Sequence, residues 1–442
     1  MKNTILILSL TLLVVLIVSA CGGLETAVST VQLSPTSEAI LQAVPAPSIT
    51  ATPTALVVSG TISIWHSLEA PQLPALLRQI AAFQEIYPNV YFDILYVPQV
   101  DLRAGYVEAA REGSGPTILI GSGEWGPELF NQDLVASLDE LAGSDFLNTL
   151  NATAVEAARL QGSLIGIPYW VEGVVLYRNR LLISKAPETF SELILLSQGA
   201  TAGDLFGAYL ERSFFFSGAH LYGLDGTLFS EAGEPAFNSP EGLAWLELIS
   251  SFEQAGPTDF FTDDDLNLFK EGRVGFIIDG TWNRDALAEA IGTENLVIDP
   301  WPIYARGTLS GFLRTENIYL NPRALDEIHS ISWKFIEFLM SPEAQSDLAD
   351  VGLIPAISGS PVNPVAGQVV ISDALIAQAM RALVDAVPYP NLPTMSLYTS
   401  SLDIALRSVF EQAANPSEAL QGAETAVRDG LAAFEATATP SP

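Results

Sequence analysis

The chain has 442 residues, and its 51 acidic against 19 basic residues give a formal net charge of −32. This charge would repel phosphate backbones, so nucleic acid is not expected as a partner. A single cysteine excludes a disulfide within the chain, and three histidines scattered far apart in the sequence, His66, His220 and His329, give no basis for a metal site or a catalytic triad. No cofactor is expected.

The N-terminal segment has the build of an export signal. One lysine precedes an apolar run from Ile5 to Val18, which is too short for a comfortable membrane span. Val18-Ser19-Ala20-Cys21 resembles the lipobox of bacterial lipoproteins, in which the cysteine is acylated and becomes the mature N-terminus. This resemblance implies a signal peptide over 1–20 and a lipid anchor on Cys21 that holds the protein on the outside of a membrane.

Two segments have the composition of unfolded chain. Residues 21–58 are rich in Ser, Thr, Pro and Ala with almost no charge, and residues 435–442 are similar. Such segments cannot bury enough apolar surface to fold, so we expect a flexible tether and a disordered tail. About 375 residues remain, which exceeds the usual size of a single core and predicts two lobes.

The first part of the folded region alternates strands and helices. Gly60 to Trp65 is β-rich, apolar residues from Leu73 to Tyr87 repeat at helical spacing, and Val90 to Val97 predicts a second strand. A further helix and the strand "TILI" follow. This β-α-β order predicts a sheet covered by helices, so lobe 1 should be α/β.

The stretch "TILIGSGEWG", residues 117–126, matches the G-x-G-x-x-G pattern of a dinucleotide site, with Asp139 or Glu140 as the acidic residue that follows. Glu124 would, however, place a negative charge against a pyrophosphate, and Trp125 would place a large ring where the backbone must approach closely. We therefore interpret the glycines as a turn that presents Glu124 and Trp125 to a ligand.

The pattern changes after about residue 180. Long apolar faces predict helices over Ala208 to Leu221 and Pro240 to Ala255, and strands are predicted over Val274 to Asp279 and around "LVIDPWPIY". The amphipathic helix "SWKFIEFLM" ends at Ser341-Pro342-Glu343, which is a strong start signal for another helix.

Three blocks of sequence resemble the extracellular solute-binding proteins of ABC importers, and most closely their maltose and maltodextrin-binding branch. They are "IGIPYWVEGVVLYRNRLL", "FKEGRVGFIIDGTW", and "FIEFLMSPEAQ" with "GLIPA". The resemblance implies a type II periplasmic-binding-protein fold, α/β, with two lobes joined by a multi-segment hinge. We expect crossings near Trp170, Thr315 and residue 367, which assign 59–170 and 316–366 to lobe 1, and 171–315 and 367–434 to lobe 2.

The same resemblance implies a sugar in the cleft between the lobes. Sugars need carboxylates or amides for their hydroxyls and aromatic rings for their C–H faces. The family's positions carry over to Glu124 and Trp125 in the loop described above, to Glu172 at the hinge, and to Trp282 as the stacking ring of lobe 2.

Other matching positions are less complete. Glu69 and His66 in "WHSLEA" and Glu211 correspond to ligand positions, but Ser213 stands where an aromatic is expected. Thr399, Ser400 and Asp403 replace the family's two stacking aromatics and its arginine, and Tyr398 or Tyr389 could compensate. The sugar need not be maltose.

The resemblance implies a monomeric receptor outside the cytoplasm that passes a saccharide to an ABC permease. Two alternatives remain. "IWHSLEA" also resembles the glycerol-phosphate-binding branch, for which Arg212, Arg284 or Arg314 would bind phosphate. Glu124 and Glu172 could form the acid pair of a glycoside hydrolase. Because family members bind without chemistry, we expect a binding protein and not an enzyme.

Overall fold

A computed structural model describes residues 58–230, 233–304, 307–358 and 371–438. The predicted signal peptide, Cys21, almost all of the tether and the crossing near residue 367 lie outside these residues. In the described part, the strands are β1 Gly60–His66, β2 Val90–Tyr96, β3 Ile118–Ser122, β4 Arg159–Leu160, β5 Ser163–Leu164, β6 Ile167–Asn179, β7 Phe206–Ala208, β8 Leu210–Glu211, β9 Thr258–Asp259, β10 Val274–Gly280, β11 Leu296–Asp299, β12 Ile303–Tyr304, β13 Gly307–Thr308, β14 Phe312–Leu320, β15 Ile354–Pro355 and β16 Val387–Pro388.

The described residues also form helices. They are α1 Leu73–Ile86, α2 Gln99–Glu112, α3 Gly126–Asn131, α4 Ser144–Leu147, α5 Ala152–Ala157, α6 Phe190–Ala200, α7 Phe214–Ser217, α8 Pro240–Ser251, α9 Asp264–Lys270, α10 Arg284–Ile291, α11 Asp326–Leu339, α12 Pro342–Ala349, α13 Ala374–Ala382, α14 Met395–Phe410 and α15 Pro416–Ala438. None of the helices that the structure describes combines the length and the apolar composition of a membrane span.

The main sheet has the strand order β2-β1-β3-β14-β6-β10-β7, with β11 and β15 also paired to β6 and β16 paired to β14. The pairs β1–β2, β1–β3 and β10–β7 are parallel, whereas β14 and β6 run antiparallel to their neighbours in this order. The first three strands therefore form the predicted β-α-β start.

The thirteen-residue strand β6 connects the two parts of this sheet. Its first half pairs with β14 up to Gly173, and its second half, from Val174, pairs with β10 and β11. Trp170 and Thr315, the positions at which we expected crossings, lie within β6 and β14. The lobe boundaries themselves remain a prediction.

Two sequence predictions are wrong in the structure. Residues 208–213 are not helical, because Phe206–Ala208 pairs with β10 and Leu210–Glu211 pairs with β9, and helix begins only at Phe214. The C-terminal helix α15 runs to Ala438, four residues into the segment expected to be a disordered tail.

The predicted helix start at Ser341 is confirmed. The Ser341 hydroxyl accepts a hydrogen bond from the Ala344 N–H at 3.3 Å, and Pro342 occupies the first helical position. We expect Ser341→Ala to lower the free energy of unfolding by about 1 kcal/mol, because it leaves a helix N–H without its cap. Urea denaturation would measure this loss. Ser341→Asn, which keeps a capping oxygen, should retain most of the stability, and an equal loss in both variants would contradict the assignment.

Candidate functional site

Two neighbouring strands place charged groups opposite each other at the centre of the sheet. Arg314 on β14 lies directly opposite Glu172 on β6, and Glu316 lies opposite Trp170. Because side chains two residues apart on a strand share a face, Arg314 and Glu316 lie on one face of β14. The register shifts between Glu316 and Asn317, a bulge of the kind that re-aims side chains beside functional sites.

Arg314 joins two carboxylates that are far apart in sequence. One guanidinium nitrogen lies 3.1 Å from a Glu172 oxygen, and another lies 3.5 Å from a Glu124 oxygen. All three side chains are partly exposed, so these ion pairs are accessible to solvent and to a ligand. Arg314 thereby links the loop after β3 to the centre of β6.

An aromatic wall faces the same guanidinium. The Arg314 guanidinium carbon lies 4.6 Å from the centre of the Trp282 ring and 5.4 Å from the centre of the Phe215 ring, both within cation–π range. Phe215 also contacts Tyr389, with ring centres 5.5 Å apart. Trp282 is 38% exposed, which leaves ring surface available to a solute.

Local backbone features put Trp282 in this position. The buried strand β10 ends at Gly280, and a short 3-10 turn over Thr281–Asn283 follows. The Trp282 ring folds back over Gly280, where a β-carbon would come within 2.1 Å of it. Only glycine permits this close approach.

Two cavities flank Arg314. One, of about 110 Å³, is lined by Gln72, Trp170, Glu172, Thr281 and Trp282 among others. The second, of about 320 Å³, is lined by Glu124, Tyr389, Asn391, Thr399 and Ser400 among others. Because Arg314 bonds to Glu172 of the first and Glu124 of the second, the two cavities are neighbours along one cleft, which we call the Arg314 cleft.

Glu316 is a third carboxyl group close to the charged residues of the Arg314 cleft. Burial raises its pKa well above the ordinary value, and the charges of Glu172 and Glu124 raise it further against the opposing effect of Arg314. Burial and the neighbouring carboxylates favour the protonated form of this carboxyl group, which can donate a hydrogen bond as well as accept one. Glu316 was not identified from the sequence, although its alternation with Arg314 on an apolar strand is a visible signal.

Three of the predicted ligand residues meet in the Arg314 cleft, namely Glu124, Glu172 and Trp282. Glu69 is exposed and accepts a hydrogen bond from Tyr96 at 3.0 Å, while its backbone N–H donates to the cavity residue Gln72. Glu69 thus contacts Gln72, which lines the first cavity of the cleft.

Trp125 is half-buried and packs against the cluster that contains Leu102, Tyr106 and Leu129. Its ring lies over Gly121, where a β-carbon would come within 2.4 Å of it. The structure thus favours a packing role for this ring, and a stacking role remains a prediction.

Three other predicted ligand residues are buried, so this geometry does not support a ligand role for them, and that role stays a prediction. His66 is 1% exposed, accepts the Leu68 N–H on Nδ1, and has a pKa lowered by burial. Glu211 is 5% exposed and accepts the N–H groups of Ser213 and Phe261. Tyr398 is 1% exposed and packs against Phe229 and Phe237 in the core. Tyr389, the other tyrosine considered, lines the cleft instead.

The glycines of "TILIGSGEWG" serve chain packing. A β-carbon on Gly123 would come within 2.4 Å of the Thr315 hydroxyl and 2.9 Å of its carbonyl oxygen. The loop therefore needs glycine there to approach β14, next to Arg314 and Glu316. Among the described residues, no group of three or more His, Cys, Asp or Glu side chains could hold a metal ion.

Comparison with known proteins gives consistent matches. A family model described as bacterial extracellular solute-binding protein matches residues 78–376. The maltotriose-binding protein of Pyrococcus abyssi is 25% identical over 313 residues, which cover 68% of this chain and 67% of that one. The galactooligosaccharide-binding protein of Bacillus subtilis is 24% identical, with 71% and 77% covered.

A solved cyclo/maltodextrin-binding protein in complex with maltotetraose has a similar fold. The TM-score is 0.72 at 20% identity, and the match covers 84% of this chain and 97% of that structure. This likeness confirms the predicted α/β periplasmic-binding-protein fold.

Proposed function

Since the chain belongs to the family of bacterial extracellular solute-binding proteins, we propose that it captures a saccharide in the Arg314 cleft and delivers it to an ABC permease. The observation that supports this most directly is the exposed face of Trp282 beside Glu172 and Arg314. A ring and hydrogen-bonding groups at one place meet both needs of a sugar, a flat C–H surface and partners for hydroxyls.

The names of the relatives support a saccharide. One is named for maltotriose and another for galactooligosaccharide, and each match covers about two thirds or more of both chains. Family membership also confirms the expectation of a binding protein and not an enzyme. We extend the proposal to a lipid anchor at Cys21 and a monomeric receptor. A Streptococcus pneumoniae relative, 26% identical, is named a lipoprotein, which supports the anchor.

Ligand capture would act through the cleft geometry. Glu124 lies in the loop after β3, whereas Trp282 follows β10 on the other side of β14 and β6. A solute that touches both at once stabilises the arrangement in which they are close together, and a permease can select that arrangement.

Glycerol phosphate is the weaker alternative, because the three arginines considered for it are already engaged. Arg314 pairs with Glu124 and Glu172, and buried Arg284 pairs with Asp285 at 2.7 Å. Arg212 pairs with Glu253 at 2.8 Å. A phosphate in the Arg314 cleft would also meet the carboxyl groups of the pairs it disrupts.

A thermal-shift panel on the full chain tests the proposal with maltotriose, a galactooligosaccharide and glycerol phosphate. A solute that binds only the native state at about 100 times its Kd adds about 2.7 kcal/mol of stability. We expect at least one saccharide to raise the Tm and glycerol phosphate to leave it unchanged. A shift with glycerol phosphate and none with any saccharide would overturn the proposal.

A further inference from the structure

The ligand groups of the Arg314 cleft are occupied by a cation of the chain itself. The guanidinium of Arg314 lies over the exposed Trp282 ring and contacts the carboxylates of Glu172 and Glu124. The same three side chains would otherwise bind a solute. We propose that Arg314 marks a cation subsite and that the natural solute is a saccharide carrying an amine, an inference that rests on the proposed saccharide function.

The balance of charge in the cleft supports this proposal. Two carboxylates, Glu124 and Glu172, contact the guanidinium of Arg314, and the other charged pair at the cavity wall, Arg284 with Asp285, neutralises itself. A neutral sugar would leave one carboxylate charge uncompensated, whereas an ammonium group adjacent to hydroxyls would match it.

A second aromatic ring, Phe215, adds to this support. Phe215 and Trp282 form a tilted pair with ring centres 6.0 Å apart, and Arg314 lies against both rings. Aromatic faces attract ammonium groups as well as guanidinium, because the ring quadrupole is negative on its face. A surface that holds the guanidinium of the chain in this way would hold the ammonium of a solute.

A buried donor in the same cavity indicates that the solute also brings oxygen atoms. The indole N–H of Trp170 has no hydrogen-bond partner in the part of the chain that the structure describes, although this side chain is only 7% exposed and lines the cavity with Glu172 and Trp282. An unpaired buried donor is costly, and a sugar hydroxyl would satisfy it. The cleft therefore combines a cation subsite with a hydroxyl subsite.

Isosteric sugar pairs test the proposal by calorimetry on the full chain. The pairs are glucosamine with glucose, galactosamine with galactose, and the glucosamine trisaccharide with cellotriose, each differing only in ammonium for hydroxyl at C2. We expect the amine of at least one pair to bind about tenfold or more tightly than its partner, with the difference shrinking as salt is raised. Equal or tighter binding of the neutral sugar in every pair would overturn the proposal.

Arg314→Ala separates this proposal from the ordinary role of an arginine in a sugar site. If Arg314 competes with the cation of the solute, its removal frees Trp282 and two carboxylates, and the amine should bind about tenfold more tightly. If Arg314 instead donates to sugar hydroxyls, the variant should bind amine and neutral sugars more weakly, and the proposal fails. Arg103→Ala, which removes an exposed arginine paired with Glu128 on α3, controls for the change in net charge.

The outcomes also separate the two proposals. Binding of maltotriose with no preference for an amine would overturn the cation subsite and leave saccharide capture intact. No binding of any saccharide by a chain whose circular dichroism is native would overturn both proposals.

Discussion

Replacing Trp282 with alanine is expected to weaken saccharide binding by about 30-fold to 150-fold, which corresponds to about 2–3 kcal/mol. The ring is 38% exposed, and the rest of its surface contacts Gly280, Phe215 and Arg314. Among the described residues that line the cleft, Trp282 is the only exposed tryptophan, and alanine would remove its ring. Isothermal titration with the saccharide that gives the largest thermal shift would measure the loss.

Folding should survive this substitution, because Trp282 is not part of either large core cluster among the described residues. Tyr91→Ala provides a matched control, since Tyr91 is an aromatic side chain 61% exposed on the edge strand β2. It should retain native affinity. Unchanged affinity in Trp282→Ala would show that the ring does not contact the solute.

Much of the fold follows from local sequence signals. The strands β1 and β2 and the helix between them begin within a residue of their predicted positions, because each shows a clear hydrophobic period. The error at 208–213 has the opposite cause. Ala208 and Leu210–Glu211 are strand because β10 and β9 provide their hydrogen-bond partners. These partners lie more than forty residues away in the sequence, so no local pattern predicts the pairing.

The site could be predicted from the sequence only in part. Glu172 and Trp282 belong to sequence blocks that match the family, whereas the proximity of Arg314 and Glu316 to them depends on the register of β14 against β6. Register is set by the whole sheet and not by the strand sequence alone. His66, Glu211 and Tyr398 lie at or near ligand positions of the family in sequence but are buried. A match in sequence position therefore does not reveal whether a side chain is exposed to a ligand.

Asp265→Asn is expected to stabilise the protein at pH 8. Asp265 is 5% exposed, and burial, with the charges of Asp259, Glu211 and Asp279, raises its pKa to about 8. Its neighbour Asp259 is also buried, but hydrogen bonds from Thr262 and from the N–H groups of Asp265, Phe260 and Thr262 outweigh that burial and lower its pKa. Of this pair, Asp259 therefore carries the negative charge and Asp265 carries the proton.

The sign of the pH dependence follows from the raised pKa of Asp265. The unfolded chain loses this proton near pH 4, while the native state retains it until about pH 8, so the contribution of Asp265 to stability falls between these values. Asparagine cannot ionise, and its side-chain oxygen can still accept the Leu266 N–H that Asp265 accepts at 2.6 Å. A gap of about four pKa units at about 1.4 kcal/mol each means that the variant should gain on the order of 5 kcal/mol at pH 8 and almost nothing at pH 4.

A competing effect is smaller and acts in the other direction. Asp265 lies in the first turn of α9, where an acidic side chain favours the helix dipole by about 0.3–1 kcal/mol when ionised, and this is lost in the variant. Asp264→Asn isolates that term, because Asp264 lies in the same turn but is exposed. Urea denaturation of both variants between pH 4 and pH 8 would decide the matter. A stability difference between wild type and Asp265→Asn that stays constant over this range would show that Asp265 is not protonated in the native state, and that the acidic cluster around Asp259 tolerates a second charge.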